Sequence, residues 1–250
     1  SFSIASPPSR GAPLELHVRR VPGGSFTAFV FEELKERALL RMEGPLGGFF
    51  LREDGGEPIV MVAGGTGLAP LQSMLEEGVL SGLERPVHLY WGVRTHADLY
   101  AAERISRWQK SLESFRYTPV LSEPGEDWNG RTGWVHEAVL SDYPDLSGVA
   151  VYASGPPPMI AAVPVICRLR GLGRARARPM IVASVDALRQ PRAGVGEDLV
   201  AAEQRRDRGG RHHRRNRRDC RRFRYDQALF ELQDRLVLNR DQRRRRRCRP

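Results

Sequence analysis

Two glycine-bearing strings are the residues best suited to chemistry. Gly64-Gly65-Thr66-Gly67 directly follows an apolar run and opens a helical pattern. In such a turn, backbone N–H groups and a helix N-terminus can cradle a pyrophosphate, and glycines let the phosphates come close. The string is not the GxGxxG pattern, and a glycine-rich strand-to-helix turn is often only a tight connection. The second string, Ser154-Gly155-Pro156-Pro157-Pro158-Met159, ends a later apolar run and is too proline-rich for a casual linker. Two such loops on one sheet favour a dinucleotide.

The elements that must hold these loops follow from periodicity. Pro58 to Ala63 is continuously apolar, Leu68 to Leu80 is helical in period, and Val87 to Trp91 is apolar again. A helix is predicted from about Asp98 to Leu112, with Leu99, Ile105, Trp108 and Leu112 on one stripe. Strands at Arg116 to Leu121 and Val149 to Ala153 follow. Repeated strand–helix alternation implies an α/β domain with a parallel sheet covered on both faces. Ligands of such sheets sit beyond the carboxyl ends of the strands, at the loops after Ala63, Trp91, Leu121 and Ala153. Upstream, Leu14 to Arg19 alternates apolar and polar residues as a half-buried strand does, and Leu39 to Glu43 is a second short strand candidate. With Pro22-Gly23-Gly24, Gly44-Pro45 and the Gly47 to Phe50 run, they predict short antiparallel strands of a small barrel.

Composition excludes several classes. Of the net charge of +10, residues 1–188 carry −2 and residues 189–250 carry +12, with 21 arginines and no lysine. The folded part therefore needs no polyanion as partner. Cys167, Cys220 and Cys248 are too few and too scattered for a disulfide framework, a zinc site or a four-thiolate iron–sulfur cluster. No run of about 18 apolar residues could cross a bilayer, and no secretory signal opens the chain. A soluble protein of a reducing cytoplasm is the expectation.

The strings SFSIAS, LELHVRRVPGGSFT, GPLGGFF, VAGGTGLAP, LYWG and YASGPPPM, in this order, resemble the ferredoxin–NADP reductase superfamily. Within it the chain is most similar to bacterial reductase components of the CDP-6-deoxyglucoseen reductase and phenol hydroxylase reductase type, over about residues 1–165 and more loosely to 188. The resemblance implies a partial FAD-binding antiparallel barrel (1–53), an NAD(P)H-binding α/β domain (54–188) and an arginine-rich low-complexity tail (189–250). It also implies site roles. Phe2 matches an aromatic that stacks near the isoalloxazine, and Ser3 a serine whose hydroxyl reaches flavin N5. His17, Val18 and Arg19 match the strand along the ribityl and phosphate path, and Gly24, Ser25 and Thr27 the loop for the flavin pyrophosphate. Gly64, Gly65, Thr66 and Gly67, with Gly155, Pro156 and Met159, would hold the nicotinamide nucleotide, Thr66 lying between it and the flavin. Ser154 stands where the family usually has a cysteine near the nicotinamide C4, a departure expected to slow hydride transfer. Arg94 is expected to meet the adenosine ribose or a 2′-phosphate. The arginine that precedes the aromatic in the family would lie before Ser1, so the chain reads as truncated at its front.

The implied activity is an oxidoreductase passing electrons from NAD(P)H through FAD to an iron–sulfur protein or oxygenase component, with neither a metal nor a membrane required. Hydride transfer itself needs no acid–base group, so the absence of a Ser/His/Asp triad or paired carboxylates is consistent with it. Two alternatives remain: a free-flavin reductase, and a nonspecific nucleic-acid binder acting through Arg205 to Arg224 and Arg243 to Arg247. The tail is expected to be disordered or locally helical, with a possible face at Ala228 to Leu238. Its composition suits a GC-rich coding strand read out of frame. His88, Trp91, Trp108 and Trp134 are expected to pack rather than to bind.

Overall fold

The computed structural model describes residues 2–9, 13–52, 55–169, 181–184, 230–231 and 236–238, with backbone alone beyond 163. Its centre is a six-stranded, wholly parallel sheet. The strands are β3 (Ile59–Gly64), β4 (Val87–Val93), β5 (Phe115–Leu121), β6 (Arg131–Thr132), β7 (Ala150–Gly155) and β8 (Ile181–Ser184), in the order β6-β5-β4-β3-β7-β8. Helices α2 (Leu68–Ser81) and α3 (Ala102–Ser111) cover one face, and α4 (Val135–Asp142) and α5 (Pro157–Leu169) the other. The reason is visible in β3. Ile59, Met61 and Ala63 join Leu71, Leu75 and Trp108 in one core, while Val60 and Val62 join Val135, Val139 and Val163 in the second. A strand buried on both faces must be apolar at every position, and every residue of β3 is buried.

The helix expected over 98–112 is split. His96–Asp98 is a 3-10 turn closed by a Thr95/Asp98 capping box, and α3 begins only at Ala102. Pro157 and Pro158 are not a rigid loop but the first turn of α5, where a missing N–H leaves nothing unpaired.

Upstream, β1 (Leu16–Val18) and β2 (Leu39–Leu40) are shorter than expected. Between them Ser25–Ala28 forms α1, which runs into a π-helical turn at Phe29–Glu33 that periodicity did not suggest. Antiparallel pairing is seen at the Ile4–Leu16 bridge and in the bond from the Ala5 amide to the Glu15 carbonyl. In place of the expected disorder or helical face, Phe230–Glu231 and Leu236–Leu238 are strands β9 and β10, paired with β2 and with β1. An unpaired strand edge is a template for such pairing, and Leu-Val-Leu suits it. The rest of the tail lies outside the described residues.

The alternation is inverted over Leu14 to His17, while Val18 is buried and Arg19 exposed as expected. The polar residues Glu15 and His17 are 4% and 6% exposed, whereas Leu14 and Leu16 are only half-buried. A carboxylate can be buried this deeply only if it is paired, and its partners lie on α2 and α3.

Candidate functional site

The strand order reverses between β3 and β7: from β3 the chain winds outward through β4 and β5, then returns to the other side of β3 as β7. A crevice opens at such a switch point, beyond the carboxyl ends of the two strands. Both glycine strings lie there, in contact. A Cβ on Gly67 would stand 2.1 Å from the Ser154 carbonyl oxygen; one on Gly155 would stand 2.8 Å from Met159 Cε and 3.0 Å from Gly64 Cα. One on Gly64 would meet Pro156 Cδ at 2.6 Å and Met159 Sδ at 2.8 Å. Three of the glycines thus serve loop-to-loop packing rather than phosphate approach.

Gly65 differs. Its φ is +54°, a Cβ there would meet nothing within 4 Å, and it and Thr66 are partly exposed. The helix they lead into, α2, has no side-chain cap and no acid in its first turn, so its N-terminus offers an unopposed positive end to an anion. Ser154 is 1% exposed, opposite Ala63 in the β3–β7 register. Met159 is buried beneath the loop, and Pro156 is exposed.

A chain of side-chain contacts joins this turn to the N-terminal segment. Trp91 Nε1 donates to the Gly65 carbonyl at 2.9 Å, and the Trp91 ring meets Tyr100 edge-on with centroids 5.1 Å apart. The Tyr100 hydroxyl and His17 Nδ1 are 2.7 Å apart, and His17 Nε2 lies 3.1 Å from Glu15 Oε1. The tautomer with its proton on Nε2 satisfies both contacts. Burial, and then the charge of Glu15, pushes the Tyr100 hydroxyl well above its ordinary range, so it remains a donor. Glu15 Oε2 takes Arg104 Nη2 at 2.6 Å, and Gln72 Nε2 donates to Glu15 Oε1 and to the Ala5 carbonyl. Burial alone would raise the Glu15 carboxyl. The hydrogen bond with His17, the Arg104 charge and the Gln72 bond outweigh it and hold the carboxyl at about 2. Ser73 Oγ donates to the Ser6 carbonyl at 2.7 Å. Helix α2 therefore begins at the Gly64–Gly67 turn and, one turn on, anchors the segment that follows Phe2 and Ser3.

Phe2 is 38% exposed and tilts against Phe26, itself 43% exposed, with centroids 5.1 Å apart. Ser3 is half-buried, Val18 is buried, and Arg19 is exposed. Thr27 ties the Val21–Thr27 loop: its Oγ1 accepts from the Val21 amide and lies 3.1 Å from the Gly24 carbonyl, and a Cβ on Gly24 would stand 2.8 Å from it. Ser25 is exposed at the start of α1. His17 has both ring nitrogens committed to Glu15 and Tyr100, whereas Arg19 in the same stretch is exposed. Arg94, just after β4, is gripped through Nε and Nη2 by the Glu123 carboxylate at 3.0 and 2.8 Å. His88 is packed as expected, its nitrogens 3.0 and 2.9 Å from the Tyr143 and Thr118 hydroxyls. Burial, aided by Arg116, lowers it to about 4.

Glu15, Gln72, Trp91, Tyr100 and Arg104 were not singled out from the sequence as site residues. For Trp91 the buried strand was the signal for packing, but the indole also holds the turn. Trp91→Phe is expected to lower stability by about 1 kcal/mol and to weaken 5′-AMP binding. Thermal unfolding with and without the nucleotide reads both effects. A variant identical to wild type in both would show that the indole only fills space.

The sequence matches two family descriptions, an oxidoreductase FAD-binding domain over residues 1–51 and an oxidoreductase NAD-binding domain over residues 61–164. It is 46% identical over 162 residues to the CDP-6-deoxy-L-threo-D-glycero-4-hexulose-3-dehydrase reductase of Yersinia pestis, covering 65% of this chain and 49% of that one. To the phenol hydroxylase P5 protein of Acinetobacter pittii it is 40% identical over 163 residues, covering 64% and 46%. Among solved structures, the Amycolatopsis cytochrome P450 reductase GcoB aligns with a TM-score of 0.63 at 36% identity, over 73% of this chain and 56% of that one. The chain spans about half the length of the curated relatives it matches. Among the described residues no helix is long and apolar enough to cross a membrane.

Proposed function

Because residues 1–164 belong to the ferredoxin-reductase-like oxidoreductases, which join an FAD-binding to an NAD-binding domain, we propose that this chain moves electrons from NAD(P)H through FAD to a protein acceptor, as the reductase component of a multicomponent system. An iron–sulfur protein or an oxygenase component is the acceptor class that the relatives' names support. The carrying observation is the physical tie between the two halves: the open Gly65-Thr66 turn is held by Trp91, and the Trp91–Tyr100–His17–Glu15 series ends on the strand next to Phe2 and Ser3.

The residues fit the two groups. The uncapped α2 N-terminus and the open Gly65 suit a pyrophosphate, the exposed Phe2–Phe26 surface suits a flat ring, and the exposed Arg19 head suits a phosphate arm. When bound, the flavin accepts a hydride from the reduced nicotinamide and releases the electrons singly or as a pair. The chain's own contribution is placement. Gly65 and the first turn of α2 would orient the pyrophosphate, Thr66 would stand between the two ligands, and Ser154 with Gly155, buried behind the turn, would support the nicotinamide side from beneath. Ser3 would offer its hydroxyl to flavin N5. Residues 1–53 and 54–188 serve as the FAD and NAD(P)H domains in this reading.

The test is anaerobic mixing of the protein, preincubated with FAD, with NADH or NADPH. The flavin's yellow absorbance should bleach at a rate that saturates with the nicotinamide and is unaffected by free FAD. A rate proportional to free FAD, with flavin leaving on gel filtration, would favour the free-flavin reductase. No bleaching with either nucleotide would defeat both.

A further inference from the structure

Beyond the carboxyl ends of β4 and β5, on the same edge of the sheet as the glycine turns, lies a charge arrangement that the activity does not by itself require. Arg94 is the first residue after β4, the second strand of the nucleotide-binding unit, and the Glu123 amide bonds its carbonyl at 2.8 Å. In dinucleotide folds this strand end meets the adenosine ribose, where an acidic side chain suits a free 2′-hydroxyl and an arginine a 2′-phosphate. Here both kinds are present, and they are spent on each other. The Glu123 carboxylate occupies two donors of the Arg94 fork, the geometry that a phosphate would otherwise claim. The pair is exposed, 67% at Arg94 and 56% at Glu123, so a ligand can reach it. Asp98 adds a second negative charge near the guanidinium, and Glu126 and Asp127 follow in the same loop. Both charges shown to act on Arg94, Glu123 and Asp98, are negative.

We infer that Glu123 is the residue that sets coenzyme choice: by closing the Arg94 fork and offering its remaining lone pairs to a ribose 2′-hydroxyl, it selects NADH and rejects the 2′-phosphate of NADPH. Each carboxylate oxygen already receives one arginine N–H and retains a free acceptor site for the hydroxyl. A 2′-phosphate brings further negative charge against Glu123 and Asp98, and finds the arginine already taken. This inference rests on the NAD(P)H reading of the crevice.

The experiment is calorimetric titration of the full chain with 5′-AMP and with adenosine 2′,5′-bisphosphate, the adenosine halves of NADH and NADPH. Wild type should bind 5′-AMP at least about tenfold more tightly than the bisphosphate. Glu123→Gln should shift that ratio toward the bisphosphate by about tenfold or more, with a gain that shrinks as salt is raised. The ratio of kcat/KM for NADPH over NADH should rise with it. In Glu123→Gln/Arg94→Ala the gain should disappear, because it belongs to the freed guanidinium. Glu126→Gln should move the ratio much less, which separates a specific fork from a general acidic field. A wild type that prefers the bisphosphate, or an unchanged ratio in Glu123→Gln, overturns the inference while leaving the reductase reading intact. Failure of wild type to bind either nucleotide overturns both.

Discussion

Gly67→Ala is expected to abolish nucleotide binding and to lower the stability of the α/β domain by about 3 kcal/mol. The added Cβ would lie 2.1 Å from the Ser154 carbonyl oxygen, 2.5 Å from its carbon and 2.7 Å from Gly155 Cα. All three are backbone atoms of a strand paired with β3, so no side chain can swing aside. Either the start of α2 or the end of β7 must move by an ångström or more, and both border the crevice. Gly65→Ala is the matched control. That position has open space, and only its φ of +54° opposes a side chain, at about 1 kcal/mol. Urea unfolding and 5′-AMP titration of the two variants should rank them in this order. Equal stabilities would mean that the two loops are not locked as described.

The second large effect belongs to Glu15. Glu15→Gln removes the charge on which Arg104, His17 and Gln72 converge. Arg104, largely buried, would lose its 2.6 Å partner and keep only Glu76 at 3.4 Å, which should destabilise the protein by about 2 kcal/mol at neutral pH. The dependence on acid identifies the cause. The folded carboxyl sits at about 2, below the ordinary 4.5. Its contribution is therefore complete above about 4.5 and is lost as pH falls from there toward 2. The stability gap between wild type and Glu15→Gln should accordingly be full at pH 7 and reduced by roughly half at pH 3, closing only toward pH 2. A gap that is the same at both values would show that shape, and not charge, makes Glu15 necessary. His88, lowered to about 4 from 6.5, gives wild type and variant alike a separate loss between those values and so drops out of the difference.

The sheet was legible because its central strands leave no choice. Ile59 to Ala63 is apolar at every position and Val87 to Trp91 at all but His88, and a strand covered on both faces uses such a run. Helix α4 was not legible: it has eight residues, only Val135, Ala138 and Val139 are buried, and it follows a turn-rich stretch. The glycine strings were legible as a site, but the role of Gly67 was not, since the atom it must avoid belongs to Ser154. Glu15 and His17 were misread for a physical reason. In an alternating strand the polar face is assigned to water, and only the arrival of Arg104, Gln72 and Tyr100 from distant helices makes burial of that face the stable choice. The Arg94–Glu123 grip was hidden likewise, each half lying at the end of its own strand.

The neighbouring places of β3 and β7 carry a consequence for biosynthesis. Ser154 follows Gly64 by ninety residues, so β3, α2, β4, α3 and β5 leave the ribosome well before the strand that completes the crevice. Pairing between strands so far apart in sequence carries a large loop-closure entropy and comes late in folding. Until then one edge of β3, six residues destined for complete burial, is open to any passing strand. The nascent chain therefore has an interval in which its most apolar backbone is also its least protected, and the yield of folded protein will depend on how quickly β7 arrives to cover it.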